Sequence, residues 1–146
     1  MNQTKTHVVI SAFVGAGYLV VALNAPNWVH GLLTVEIVPY TLFSAPLDTQ
    51  LLFGAMYPGV FLLGAVATYA YLERGFVLPG VVVVVPYLVA LWFEAQGNPD
   101  QADLISVAGV YLIGWFIVLG AALLALGLEW GLRRLRTAWT ATPESG

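Results

Sequence analysis

Charged residues punctuate this chain sparsely, and the intervals between them predict its architecture. They fall at 5, 36, 48, 73, 74, 94, 100, 103, 129, 133, 134, 136 and 144. Four apolar runs lie between them, at 8–25, 51–72, 76–93 and 104–128. At about 1.5 Å per residue these runs would form helices roughly 27 to 38 Å long, bracketing a hydrocarbon core of about 30 Å. None carries the polar face that a helix packed on a soluble core shows to water.

Helix is the conformation that lipid demands of such runs. In hydrocarbon every backbone N–H and C=O must find its partner within the segment or in a closed barrel. A barrel needs strands of about 10 residues alternating apolar and polar side chains, and these runs do not alternate. Residues 81–85 are five valines in a row and in isolation would suit a buried strand. They lie inside an 18-residue run holding 12 Leu, Val and Phe. Apparent insertion gains of about 0.3–0.6 kcal/mol for each of these sum to roughly 4–7 kcal/mol, which favours a spanning helix. The predicted fold is an all-α membrane protein, a four-transmembrane-helix bundle forming one integral domain over residues 1–146. A short extracytoplasmic segment, β-prone or interfacial, is expected between helices 1 and 2.

The joins follow from the residues in them. Glu73-Arg74-Gly75 is a three-residue turn that makes spans two and three antiparallel neighbours. Residues 94–103 (EAQGNPDQAD) form a polar loop with Gly97-Asn98-Pro99-Asp100 as its turn signal. The outer loop, residues 26–50, contains an apolar stretch too short to span and interrupted by Glu36 and Pro39. Its Thr34, Val35, Ile37, Val38 and Thr41 favour an extended stretch or short hairpin, and a re-entrant or interfacial segment is the competing description. Beyond residue 128 the last helix is expected to continue as an amphipathic tail, 129–146, along the inner headgroups. Trp130, Arg133, Arg134 and Arg136 would anchor it there. The first run could also be read as a secretory signal peptide. A single positive charge, a poor small-x-small site and Pro26 just after the cut weigh against cleavage.

Composition supports the bilayer as solvent. The chain has 146 residues, 60% of them hydrophobic and 9% charged, with 15 Gly. A soluble domain carries about 25% charged residues, and so small a chain would need ample polar surface to dissolve. All five positives (Lys5, Arg74, Arg133, Arg134, Arg136) fall on one side of the four-span arrangement, and Glu36, Asp48, Glu94, Asp100 and Asp103 on the other. The positive-inside rule then places the protein in a cell membrane as a multi-pass chain with both termini cytoplasmic. One Lys against four Arg, with an acid excess, hints at a salt-loving or high-GC prokaryotic source. The net charge of -3 and the absence of a basic stripe exclude nucleic acid as a partner. With no Cys, disulfides, thiolate metal sites and Cys nucleophiles are ruled out.

Candidate chemistry is sparse. The four runs contain no Asp, Glu, Lys, Arg or His, the residues that mark proton relays and ion pathways in membranes. HExxH, GxSxG and P-loop patterns are absent. No catalytic, cofactor-binding or metal-binding residue is therefore assigned, and the chain is expected to be non-enzymatic. In the outer loop, His30 and Glu36 are the candidate polar contacts for an ion, solute or partner. Six residues apart, they do not form a recognised metal-ligand spacing. Pro58 and Pro86 fall inside spans two and three, each beside a Tyr, and are expected to kink them. Small residues recur at helical spacing: Ser11 with Gly15, Ala12 with Ala16, Ala55 with Gly59, Gly64 with Thr68, Ala121 with Ala125. Such pairs allow close helix packing, either within this bundle or on a docking face. The expected function is that of an accessory, scaffold or partner-binding subunit. Its partners would be the lipid bilayer and other membrane proteins or itself. The alternative is an oligomeric channel or facilitator for small solutes, with Tyr57, Tyr69, Tyr71, Tyr87 and Tyr111 gathered on one wall.

Overall fold

A computed structural model describes residues 3–29, 31, 46–96 and 107–140. Five helices occur in these residues: α1 (Gln3–Val29), α2 (Leu47–Arg74), α3 (Leu78–Gln96), α4 (Val107–Ile113) and α5 (Trp115–Thr140). Four stretches are long and apolar enough to cross a membrane: Gln3–Val29, Leu47–Arg74, Leu78–Gln96 and Trp115–Thr137. The all-α four-span architecture expected from the sequence is the one observed, and no strand occurs among the described residues. Most of the outer segment, including His30 and Glu36, lies outside the described residues.

The helices overrun the apolar stretches that nucleate them. α1 continues through Pro26 to Val29, and α2 begins at Leu47, so both ends of the expected outer loop are helical. A proline in a helix deletes one N–H and crowds one carbonyl, which a helix tolerates when that carbonyl finds another donor. Asp48 in the first turn of α2 and Arg74 in its last turn oppose the helix dipole with charges of the favourable sign. The fourth run, expected as one helix over 104–128, breaks at Gly114 into α4 and α5. The Gly114 N–H still donates to Val110 O (2.9 Å), but its carbonyl accepts from Ile117 (2.9 Å) and Val118 (3.4 Å), a tightened turn. Glycine is the residue that resists such a break least.

Between α2 and α3 the chain reverses at Gly75, whose φ of 64° is left-handed. That conformation costs a residue with a Cβ about 1 kcal/mol or more. From it the Gly75 N–H reaches Tyr71 O (2.7 Å) and the Phe76 N–H reaches Ala70 O (3.3 Å), closing the end of α2.

Side chains on the inner faces recur at helical spacing. α1 buries Ser11, Gly15, Ala22 and Ala25; α2 buries Met56, Val60, Leu63 and Ala70; α3 buries Val83, Tyr87 and Ala90. Lipid tails are as apolar as leucine, so close packing and hydrogen bonds, rather than hydrophobic drive, must join the helices. The closest joint is between α1 and α2, the most extensive pair in the bundle. A Cβ on Gly15 would lie 2.8 Å from Phe61 O, and one on Gly64 would lie 2.8 Å from the Tyr18 Cβ. A second joint seats the Trp115 indole directly on Gly59. Three of the small pairs seen in the sequence thus contribute to packing inside the bundle, through Gly15, Gly59 and Gly64.

Gly64→Val should force α1 and α2 apart and destabilise the bundle by about 1–3 kcal/mol. Gly120→Ala, in open space, should change stability by no more than about 0.5 kcal/mol. Thermal unfolding in detergent micelles distinguishes the two, and equal effects would contradict the assigned joint.

Candidate functional site

Three tyrosines from three helices meet in the apolar interior. Tyr87 of α3 lies between Tyr18 of α1 and Tyr111 of α4, with ring centroids 6.0 Å and 5.1 Å away. The geometry is edge-to-face for Tyr18 and tilted for Tyr111, as aromatic quadrupoles prefer. Each hydroxyl has a defined task. Tyr111 donates to Val83 O at 2.6 Å, which uses its one proton. The 3.0 Å bond between the Tyr18 and Tyr111 hydroxyls therefore runs from Tyr18 to Tyr111. Tyr87 donates to Ala22 O at 2.8 Å.

One of those acceptors follows directly from a proline. Pro26 lacks the N–H that would bond Ala22 O, four residues earlier, and Ala22 is fully buried. The Tyr87 hydroxyl supplies the missing donor from the neighbouring helix. Pro86 likewise leaves Val82 O without its usual donor, and the Tyr111 hydroxyl lands on the adjacent carbonyl, Val83 O. Two further polar groups in α1 are settled locally: Asn24 Nδ2 donates to Val20 O (2.8 Å) and Ser11 Oγ to His7 O (2.7 Å). Among the described residues no buried side-chain polar atom lacks a partner.

Charge gathers at one end of the bundle, where the start of α1, the α2–α3 turn and the second half of α5 meet. His7 Nδ1 and Glu73 Oε2 are 2.9 Å apart. Glu129 Oε2 accepts from the Val77 and Leu78 N–H groups, both at 3.0 Å, and so caps the start of α3 from another helix. Its other oxygen accepts from Arg133 at 2.8 Å. Arg133 in turn donates to Arg74 O (2.8 Å) and Gly75 O (2.6 Å), the carbonyls that end α2. Its guanidinium also lies 4.8 Å from the centre of the Phe76 ring. One i,i+4 pair on α5 thus neutralises the positive end of α3 and the negative end of α2.

The residues expected to matter are distributed as follows. Pro58 and Pro86 sit inside α2 and α3, which run on helically through both. Trp130 is partly exposed on α5, with Arg134 stacked 4.5 Å from its ring centre. Arg133, Arg134 and Arg136 are all exposed, and Arg133 reaches across to the α2–α3 turn. Of the five tyrosines imagined on one wall, Tyr87 and Tyr111 come together, while Tyr69 and Tyr71 are exposed on α2. Tyr18 completes the cluster and was not singled out. Its signal was its place on the stripe of Ser11, Gly15, Ala22 and Ala25.

Among the described residues no group of three His, Asp or Glu is placed to hold a metal. Among the described residues, clefts open on the bundle surface between α1, α2 and α3 and between α2 and α5. The larger, about 440 Å³ between α1, α2 and α3, is lined by valines, Tyr18, Thr68 and Tyr71 and carries no charge. The smaller, about 330 Å³ between α2 and α5, carries Glu73 and Arg74 at its polar edge. On the outside of α5, Ile117, Leu124, Leu128 and Leu135 share a face with Gly120, Gly127 and Gly131, and a Cβ on any of these glycines would meet nothing. No protein-family model, curated protein or solved structure matches the chain.

The Tyr87 bond can be tested through its cause. Tyr87→Phe alone should cost about 1 kcal/mol, within the range for hydrogen bonds between membrane helices. Pro26→Ala returns an N–H to Ala22 O, so in that background Tyr87→Phe should cost markedly less. Unfolding in determined detergent mixtures measures the cycle, and a cost independent of residue 26 would refute the pairing.

Proposed function

We propose that this protein is a non-enzymatic, multi-pass subunit of a cell membrane that binds other membrane proteins or a second copy of itself. The observation that carries the reading is the outer face of α5. Only 11% of the apolar stretch of α5 is buried against the described chain, compared with 28% in α1 and in α2. Along that poorly covered helix, Gly120, Gly127 and Gly131 align with exposed leucines, and Gly127 and Gly131 form a Gly-xxx-Gly step. In lipid, glycines at this spacing let another backbone approach closely enough to gain packing that acyl chains do not supply.

Two further features support a binding role over a catalytic one. Among the described residues every buried side-chain polar atom has a partner, and the hydroxyls of Tyr18, Tyr87 and Tyr111 tie helices together. The charged pair on α5 is occupied in capping α2 and α3. The distribution of Lys and Arg supports cytoplasmic termini.

Extraction in mild detergent followed by mass determination tests the proposal. The particle should exceed the 15.7 kDa of one chain, beyond the bound detergent. Gly127→Ile with Gly131→Ile should return the single chain with its thermal unfolding unchanged. A wild-type protein that is strictly monomeric and without companions, or a double variant whose assembly is unaltered, would refute the proposal.

A further inference from the structure

The smaller cleft joins apolar and charged residues in one slot. Its floor is apolar, formed by Val66 and Ala70 of α2, Phe76, and Leu126 of α5, with Tyr69 at the side. Its edge is charged and lies at the end of the bundle where the positives collect. Glu73, one of its two charged lining residues, is engaged by His7 at 2.9 Å. Arg74, the other, is exposed, and its guanidinium has no hydrogen bond or ion pair among the described residues. The second cation follows from helix geometry. Leu126 lines the cleft, and Trp130 and Arg134 follow it at i+4 and i+8, leading along α5 from the cleft wall toward the charged end. Arg134 stacks on the Trp130 ring, which occupies the face of its guanidinium and leaves the N–H edge free.

Charge around the cleft is unbalanced. The described residues of this end include Lys5, Arg74, Arg133, Arg134 and Arg136, against Glu73 and Glu129, an excess of three positive charges with His neutral. The two carboxylates are already partnered. A greasy slot with cations at its headgroup end complements one kind of molecule: an amphiphile with an apolar tail and an anionic head. A basic pocket between membrane helices is where a lipid phosphate is held most strongly.

We propose that the α2–α5 cleft binds one anionic phospholipid of the adjoining leaflet, with an acyl chain along Val66, Ala70 and Leu126 and the phosphate drawn by Arg74 and Arg134. Occupancy would bridge the C-terminal end of α2 to α5. It leaves the Glu129–Arg133 clamp untouched, and its wall on α5 is Leu126 rather than the Gly120, Gly127 and Gly131 face proposed for partners, to which Arg134 is adjacent.

The full chain in detergent, given palmitoyl-oleoyl phosphatidylglycerol and phosphatidylcholine at equal mole fraction, tests the site by native mass spectrometry. At about 1 kcal/mol for each arginine near a lipid headgroup, the anionic lipid should be retained roughly tenfold or more over the zwitterionic one. Arg74→Gln and Arg134→Gln should each lower that preference about fivefold. Lys5→Gln removes the same charge from the same end but away from the cleft, and should leave the preference intact. Leu126→Trp should fill the slot and reduce retention with both arginines present. Equal retention of the two lipids, or an equal loss in Lys5→Gln and Arg74→Gln, would overturn the proposal. So would displacement of the lipid by glycerol phosphate at matched concentration, which marks a free-phosphate site.

Discussion

A backbone in hydrocarbon has no water to fall back on, so each of its N–H and C=O groups must be paired by the protein itself. The helices satisfy this requirement over most of their length, and the interior is arranged around the places where they do not. Pro26 removes the donor for a carbonyl buried at Ala22, and a tyrosine hydroxyl from α3 replaces it. The tie that repairs α1 also joins α1 to α3. Tyr111 ties α4 to α3 through Val83 O, and Tyr18 of α1 donates to the Tyr111 hydroxyl. A proline that would weaken an isolated α1 thereby marks where α1 and α3 touch.

The same logic acts at the charged end with stronger groups. Helix termini expose unpaired donors and acceptors, and the α2–α3 turn brings the end of one helix beside the start of the next. A single turn of α5 addresses both, with the Glu129 carboxylate on the N–H groups that open α3 and the Arg133 guanidinium on the carbonyls that close α2. Packing of Gly15 against Gly64 sets the distance between α1 and α2. Together, glycine contact, tyrosine ties and the charged clamp hold helices that the hydrophobic effect drives into lipid but not into one another. What they leave uncovered, the outer face of α5, is the surface the proposed function uses.

Much of this was legible in the residues alone. Long uncharged runs specify spanning helices because length and apolarity suffice in lipid, and even the five valines at 81–85 lie within α3. Glu73-Arg74-Gly75 marked the reversal because a left-handed glycine ends a helix. Helix ends were less legible, since charges at 5, 48 and 74 mark where hydrocarbon stops rather than where helix stops. The break at Gly114 was hidden among glycines that sit quietly elsewhere in α5. Tyr18 was missed because no local rule pairs a tyrosine on one helix with others far along the chain. The function of Arg133 was missed for a similar reason. As one of three clustered arginines it resembles a headgroup anchor, and only the folded chain brings it to the end of α2.

All of these ties presuppose four crossings that bring the two ends of the chain to the same face of the bilayer. The chain has no cysteine, so single cysteines placed at Asn2, Asn98 and Ser145 can be labelled one at a time with a membrane-impermeant maleimide. In intact cells Asn98→Cys should be labelled, while Asn2→Cys and Ser145→Cys should react only after the membrane is opened. Labelling of either terminal position from outside intact cells, or of Asn98→Cys only after permeabilisation, would contradict the account.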